Sequence, residues 1–290
     1  MMVDDRTTLE FPSVGLVSSA LCPPDGLVCT LAAGPGGHPL RVLLDTGTDP
    51  SAMDAGLARR LAVHTGGSGV GQGAASDEVA FTEAVLPWLR LGDAGNALVI
   101  RDLFAPAVDL SGLPFRVDVV LGYTVLRQLA LRIDYRARAV TFAHPDLGLP
   151  VLAPEAEAMP LTFFEHFPAL QELELDGVAI PLATIDTGSN AGLTVGPDLA
   201  AQLGLRRDAS GVTLALGAGF GGGAEVIRRR YELLRVGPHI LRDIELDAHL
   251  GDVGDLGRAG RANLGNRLLA QFAAVTLDYE RRAAALERGS

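Results

Sequence analysis

Two short stretches of this 290-residue sequence are able to do acid–base chemistry as a pair: Asp45-Thr46-Gly47-Thr48 and Asp186-Thr187-Gly188-Ser189. Two carboxylates brought to one place cannot both ionise cheaply, so they share a proton and titrate together. The ionised oxygen can then take a proton from a water while the protonated partner polarises a carbonyl. Each neighbouring residue has a part in that chemistry. Thr46 and Thr187 can hydrogen-bond across to the twin loop and brace it. Gly47 and Gly188 permit a tight backbone approach. Thr48 and Ser189 place a hydroxyl beside each aspartate, where it can donate to the ionised form and lower its pKa.

The elements that must hold these loops are written twice. Arg41-Val42-Leu43-Leu44 runs into Asp45, and Leu182-Ala183-Thr184-Ile185 runs into Asp186, 141 residues on (186 − 45). Four further blocks recur in the same order: Leu89-Arg90-Leu91-Gly92 with Leu234-Arg235-Val236-Gly237, Ile100-Arg101-Asp102-Leu103 with Leu241-Arg242-Asp243-Ile244, Val120-Leu121-Gly122 with Asn263-Leu264-Gly265, and Ile133-Asp134-Tyr135 with Leu277-Asp278-Tyr279. Blocks in constant order at nearly constant offset indicate an internal duplication. Between the copies, residues 143–160 are rich in Pro, Ala and Glu and read as a linker. This places a boundary near residue 152, with one lobe at 1–151 carrying Asp45 and another at 152–290 carrying Asp186. Within each copy the pattern is mostly strand. Leu170–Leu175, a turn at Asp176-Gly177 and Val178–Ile185 form a hairpin that feeds the second aspartate. Helical spacing appears at Ala52–Leu61 and Pro197–Leu203, with short helices expected at Tyr123–Leu129 and Asn266–Phe272. Asp49 begins a turn at Asp49-Pro50 and is expected to cap the helix that follows.

The paired Asp-Thr-Gly loops after apolar strands resemble the active-site loops of the pepsin and retropepsin families. Val119-Val120-Leu121-Gly122 and Ala262-Asn263-Leu264-Gly265 are similar to the hydrophobic–hydrophobic–Gly element of those families, which closes a strand crossing beside the site. Asn263 is a polar departure from that pattern. The resemblance implies a mainly β, bilobal acid-protease fold in which two pseudo-twofold-related β lobes each carry short helices. It also implies an aspartic endopeptidase that activates water between Asp45 and Asp186, acting on a peptide or protein substrate. The alternative is a catalytically silent peptide-binding or regulatory module on the same fold. Glycine-rich segments fill the place of a flap over the substrate: Gly66–Gly73, with Gly69, Val70, Gly71, Gln72 and Gly73 as candidate contacts, and Gly217–Gly223, with Gly219, Phe220 and Gly221. Two such flaps, and no tyrosine in the first, look more like a fused retropepsin dimer than like pepsin. With both halves on one chain, the expectation is a functional monomer.

Other function classes find little support in the residues. The formal net charge of −11 disfavours phosphate backbones and anionic membranes. Arg228-Arg229-Arg230 is the exception, and it reads as a solvated strand edge. No apolar run approaches the ~20 residues of a membrane helix. Met1–Glu10 has neither the basic start nor the apolar stretch of a secretory signal, so the compartment expected is cytoplasmic, or periplasmic or secreted if a signal was removed. The six histidines lack metal-ligand spacing, and the glycine stretches lack the Lys-Ser/Thr of a phosphate loop, so no metal or cofactor is expected. Cys22 and Cys29 flank a Pro-Pro-Asp-Gly turn. A hairpin there would bring them within bridging reach, although two reduced thiols is the plainer reading.

Overall fold

The computed structural model describes residues 6–23, 26–73, 76, 78–219, 222–249 and 261–289. It has the mainly β, two-lobed architecture that the resemblance implies, built from three sheets.

The first sheet is organised around Leu40–Leu44, four of whose five residues are buried. A strand packed on both faces is a nearly continuous apolar run rather than an alternating one. Cys29–Ala33 lies antiparallel to it on one side. Val119–Leu121 lies parallel to it on the other, and is itself antiparallel to Ala52–Asp54. Ala52–Asp54 runs parallel to Ala107–Val108, which pairs with the long strand Val79–Asp93. Val79–Asp93 returns to Cys29–Ala33, so the sheet closes on itself as a barrel.

The second half repeats this ring. Val178–Asp186 takes the central place, with Phe167–Leu175 antiparallel on one side and Ala262–Gly265 parallel on the other. Ala262–Gly265 is antiparallel to Leu193–Val195, which runs parallel to His239–His249. Gly222–Val236 then joins His239–His249 to Phe167–Leu175 and closes the ring. The backbone repeats in detail as well. Asp102 and Asp243 both have left-handed φ, 47° and 55°, and so do Arg138 and Arg282, at 52° and 49°. Non-glycine residues seldom adopt that conformation, so its recurrence at matching positions reflects one fold written twice.

The third sheet joins the halves. Its six strands run Ala158–Pro160, Ala283–Glu287, Ala274–Asp278, Ala130–Asp134, Ala139–Ala143 and Leu16–Ala20. At its centre, Ala130–Asp134 from one repeat pairs antiparallel with Ala274–Asp278 from the other, with Arg132 opposite Thr276. The main apolar core runs beneath all three sheets, from Leu44, Leu86 and Leu121 through Phe142 to Ile185, Leu264 and Leu277.

Four local expectations are corrected. The helix foreseen over Ala52–Leu61 is a strand at Ala52–Asp54 followed by a helix at Ala55–Leu61. Val119 and Val120 draw Met53 and Ala52 into their ladder, and tertiary pairing overrides helical spacing there. The cap of that helix is Asp54, whose Oδ1 accepts the Leu57 N–H at 2.8 Å, rather than Asp49. The helices after each Leu-Gly are shorter than foreseen, at Tyr123–Leu126 and Asn266–Leu269. Arg228–Arg230 does not lie on an edge: Gly222–Val236 runs between Thr213–Gly219 and His239–His249. The arginines are held there by acids of the next strand, Arg228 by Asp247 at 2.7 and 2.8 Å and Arg230 by Asp243 at 2.6 Å.

Elsewhere the local reading stands, residues 143–160 excepted. The hairpin into Asp186 is formed by Phe167–Leu175 and Val178–Asp186. The helix Pro197–Gln202 is present with proline in its first turn. Residues 143–160, expected as a linker, instead contain a five-residue helix, Gly148–Leu152, with Leu149 and Leu152 buried, and the strand Ala158–Pro160 at the edge of the third sheet. The Cys22 N–H donates to the Cys29 carbonyl at 2.8 Å, so the flanking segments do pair, and both cysteines are free thiols. Burial pushes the Cys29 thiol up to about 12.

Candidate active site

Each aspartate stands where a central strand leaves its sheet. The Asp45 N–H donates to the Leu121 carbonyl at 2.9 Å, and Asp186 ends its strand in register with Gly265. The parallel neighbours Val119–Leu121 and Ala262–Gly265 therefore fix both departures.

The two loops are clasped to each other by their threonines. Thr46 Oγ1 donates to the Ile185 carbonyl at 2.5 Å and accepts the Thr187 N–H at 3.1 Å. Thr187 Oγ1 donates to the Leu44 carbonyl at 2.6 Å and accepts the Thr46 N–H at 3.1 Å. Both threonines are buried, and each hydroxyl serves as donor and acceptor, so no backbone group at this crossing is stranded by the close approach. Gly47 and Gly188 make that approach possible. A Cβ on Gly47 would sit 2.8 Å from the Asp186 Cγ, and one on Gly188 would overlap the Asp45 carboxyl.

The carboxyls consequently lie side by side, each against the glycine of the other loop. Burial raises the pKa of both. The adjacent charge of Asp186 raises Asp45 further, while its hydrogen bonds from Thr48 and Gly47 oppose the shift. For Asp186 the opposition comes from Asn263, Gly188, Asp45 and Ser189. The donor sets are unequal. Asp45 accepts the Gly47 N–H at 2.8 Å and the Thr48 hydroxyl at 2.6 Å. Asp186 accepts the N–H groups of Gly188 and Ser189 at 2.9 and 3.0 Å, and the Asn263 side-chain amide at 2.8 Å. The hydroxyl expected from Ser189 is turned elsewhere, accepting the Ala191 N–H at 3.2 Å. Asn263 occupies the place that Ser189 was expected to fill.

Further supports escaped the sequence reading. Asn266 Nδ2 donates to the carbonyls of Thr187 and Ser189, at 2.5 and 3.1 Å, and its Oδ1 accepts the Tyr135 hydroxyl at 2.8 Å. A tyrosine of the first repeat thus steadies the loop of the second. Ser51 Oγ accepts the Gly122 N–H at 3.0 Å on the first-repeat side. The available signal was a polar residue within an apolar frame, as at Asn263. Asp49 pairs with His166 of the other repeat at 2.5 Å, and His166 stacks on Tyr123 with ring centroids 4.6 Å apart.

The glycine-rich segments form two hairpins. His64–Gly71 pairs with the start of Val79–Asp93, setting Gly69 opposite Phe81 and Gly71 opposite Val79. Val70 is 64% exposed, and the Gly73 N–H turns onto the Ser76 carbonyl at 2.8 Å. Gln72 lies just beyond the strand. In the second repeat, Thr213–Gly219 pairs with Gly222–Val236 and brings Gly219 opposite Gly222. Phe220 and Gly221 lie outside the described residues.

Residues 32–125, from the end of the strand Cys29–Ala33 into the helix Tyr123–Leu126, match the family model described as aspartyl protease. The crystal structure of basic 7S globulin from soybean is similar over 95% of both chains, at 10% identity and a TM-score of 0.53, which is a likeness of fold. A crystal structure of a retropepsin-like aspartic protease from Rickettsia conorii aligns with 46% of this chain and 92% of its own, at 18% identity and a TM-score of 0.35. No curated protein matches the sequence.

Proposed function

We propose, from the premise that this chain carries an aspartyl protease family segment and folds throughout as a retropepsin/pepsin-like protein, that it is an aspartic endopeptidase. The observation that carries this reading is the meeting of Asp45 and Asp186. Asp45, which is buried, and Asp186, which is half-buried, come from opposite repeats and are brought side by side by crossed threonines, each carboxyl lying against the glycine of the other loop. Like charges that close cannot both persist, so at working pH the pair carries one proton.

That state suits peptide hydrolysis. A water seated between the carboxyls gives a proton to the ionised one as its oxygen bonds to the peptide carbonyl carbon. The protonated carboxyl gives its proton to the carbonyl oxygen, forming a neutral gem-diol. The carboxyl that took the water proton then gives it to the amide nitrogen while the other carboxylate takes a proton from a gem-diol hydroxyl, so the C–N bond breaks to a carboxylic acid and an amine and the singly protonated pair is restored. Thr46 and Thr187 hold the carboxyls at this spacing, and Gly47 and Gly188 leave room for it. The two glycine-rich hairpins would cover an extended peptide and add strand-like hydrogen bonds to it. Both carboxyls belong to one chain, so a single copy suffices.

The test is digestion of a proteome-derived peptide library by the wild type, Asp45→Asn and Asp186→Asn. Each substitution removes one acid–base partner and is expected to lower cleavage by about 10²–10⁴-fold. Equal cleavage by all three proteins overturns the reading. Peptide capture by all three without cleavage identifies a binding module instead.

A further inference from the structure

The two repeats differ at one buried pair beside the carboxyls, and the difference has chemical consequences. In the first repeat, Leu43 of the central strand lies opposite Val120 of its parallel neighbour. In the second, the same two places are Thr184 and Asn263, again opposite one another. Leu43, Val120, Thr184 and Asn263 are all buried, at 2%, 0%, 2% and 3% exposure. An apolar pair has therefore been replaced by a polar one without change of sheet register. Buried polar groups are retained at a cost unless they are hydrogen-bonded, and these are. Thr184 Oγ1 lies 2.7 Å from Asn263 Oδ1 and 3.2 Å from the Ala262 carbonyl. Asn263 Nδ2 is thereby aimed at Asp186 Oδ2, 2.8 Å away.

We propose that the Thr184–Asn263 pair fixes which aspartate carries the charge: Asp186 is the ionised base that takes the proton from water, and Asp45 is the acid that polarises the substrate carbonyl. This deepens the peptidase reading and rests on it for the roles of base and acid. An amide N–H can only donate, so its oxygen partner is favoured as carboxylate. The hydroxyl of Thr48, which faces Asp45, can accept as well as donate and tolerates either state of its carboxyl. Asp186 thus has three donors that all favour ionisation. Asp45 has one obligate donor and one adaptable hydroxyl. Asn263 is a positioning residue, and Thr184 orients its amide.

Among the described residues few other charges compete. Tyr279 feels the charge of Asp45, and burial pushes both Tyr279 and Tyr135 far up, so they stay neutral wherever the carboxyls titrate. Tyr123, on the helix after Gly122, carries Arg127 over its ring at 5.7 Å. Asp49 is paired with His166, and Arg267, on the helix after Asn263, is paired with Glu245. These groups are common to the wild type and the variants below.

The experiment is a ¹³C NMR titration of the chain labelled at aspartate side-chain carboxyls, in the wild type, Asn263→Val and the double variant Thr184→Leu/Asn263→Val. The double variant installs the apolar pair that the first repeat already accommodates. Signals are assigned from Asp45→Asn and Asp186→Asn. In the wild type the first carboxyl of the pair to ionise is expected to be Asp186. Losing the amide donor should raise that first step by about one pH unit, a tenfold change in acid constant, in line with a hydrogen bond to a charged group. Where peptide is cleaved, the acid limb of kcat/KM should move up by the same amount. Assignment of the first ionisation to Asp45, or an unchanged first step in both variants, overturns the proposal. The expected titration in a chain that cuts no peptide supports the charge assignment and overturns the peptidase reading.

Discussion

Thr46 and Thr187 show how much depends on single hydroxyls at this site. Replacing Thr46 by valine keeps the shape but leaves the Ile185 carbonyl and the Thr187 N–H buried without partners. Each stranded group costs about 1–3 kcal/mol. Thr46→Val is therefore expected to lower unfolding free energy by about 2–5 kcal/mol, read from the denaturant midpoint, whereas Thr46→Ser should retain most of it. At this scale the sequence was legible where residues repeat. Asp45, Asp186, the two threonines and the two glycines all lie in a motif present twice. It was less legible where the repeats diverge. Ser189 matched Thr48 on paper, yet its hydroxyl accepts a backbone N–H while an asparagine 77 residues away in sequence donates to Asp186. Only the parallel pairing of Val178–Asp186 with Ala262–Gly265 brings Asn263 there, and pairing partners of a strand are a long-range property that no local pattern states.

Strand pairing also decided which helices survived. Ala52–Asp54 has helical spacing with Ala55–Leu61, but Val119 and Val120 offer it a ladder. The misplaced arginines follow the same logic. Arg228 and Arg230 looked like solvated edge residues because their acidic partners, Asp247, Asp243 and Glu245, come from the returning strand of a long hairpin. Asp247 is 7% exposed, and its carboxylate forks onto the Arg228 guanidinium. Removing one partner of a largely buried pair leaves the other uncompensated. Asp247→Leu is expected to cost about 2 kcal/mol in the denaturant midpoint. Pairing it with Arg228→Leu should recover part of that loss, a coupling that a double-mutant cycle measures.

At the scale of the molecule, the two carboxyls link folding to pH. Burial raises both above the ordinary carboxylate value, and the adjacent charge of Asp186 raises Asp45 further. Below that value, about 4, folded and unfolded chains are equally protonated at the pair. As pH rises, the unfolded chain ionises first while the folded pair resists, so stability falls until the folded pair has also titrated. Asp45→Asn removes the repulsion. The fall in thermal midpoint between about pH 4.5 and 7 should therefore be larger in the wild type than in Asp45→Asn, and equal slopes would exclude a coupled pair.

The seam at Ala130–Asp134 and Ala274–Asp278 has a consequence for how such a protein can be divided. Each strand meets its own repeat-mate head to tail about a local dyad, so either could serve as the other's counterpart. A fragment of residues 1–151 would leave Ala130–Asp134 as an open edge, and the nearest complementary surface is the same edge on another copy. Such a fragment is expected to sediment as a symmetric homodimer, with two Thr46 side chains locked across its axis. A monomeric sedimentation coefficient at micromolar concentration would show that the halves have become obligate strangers to themselves.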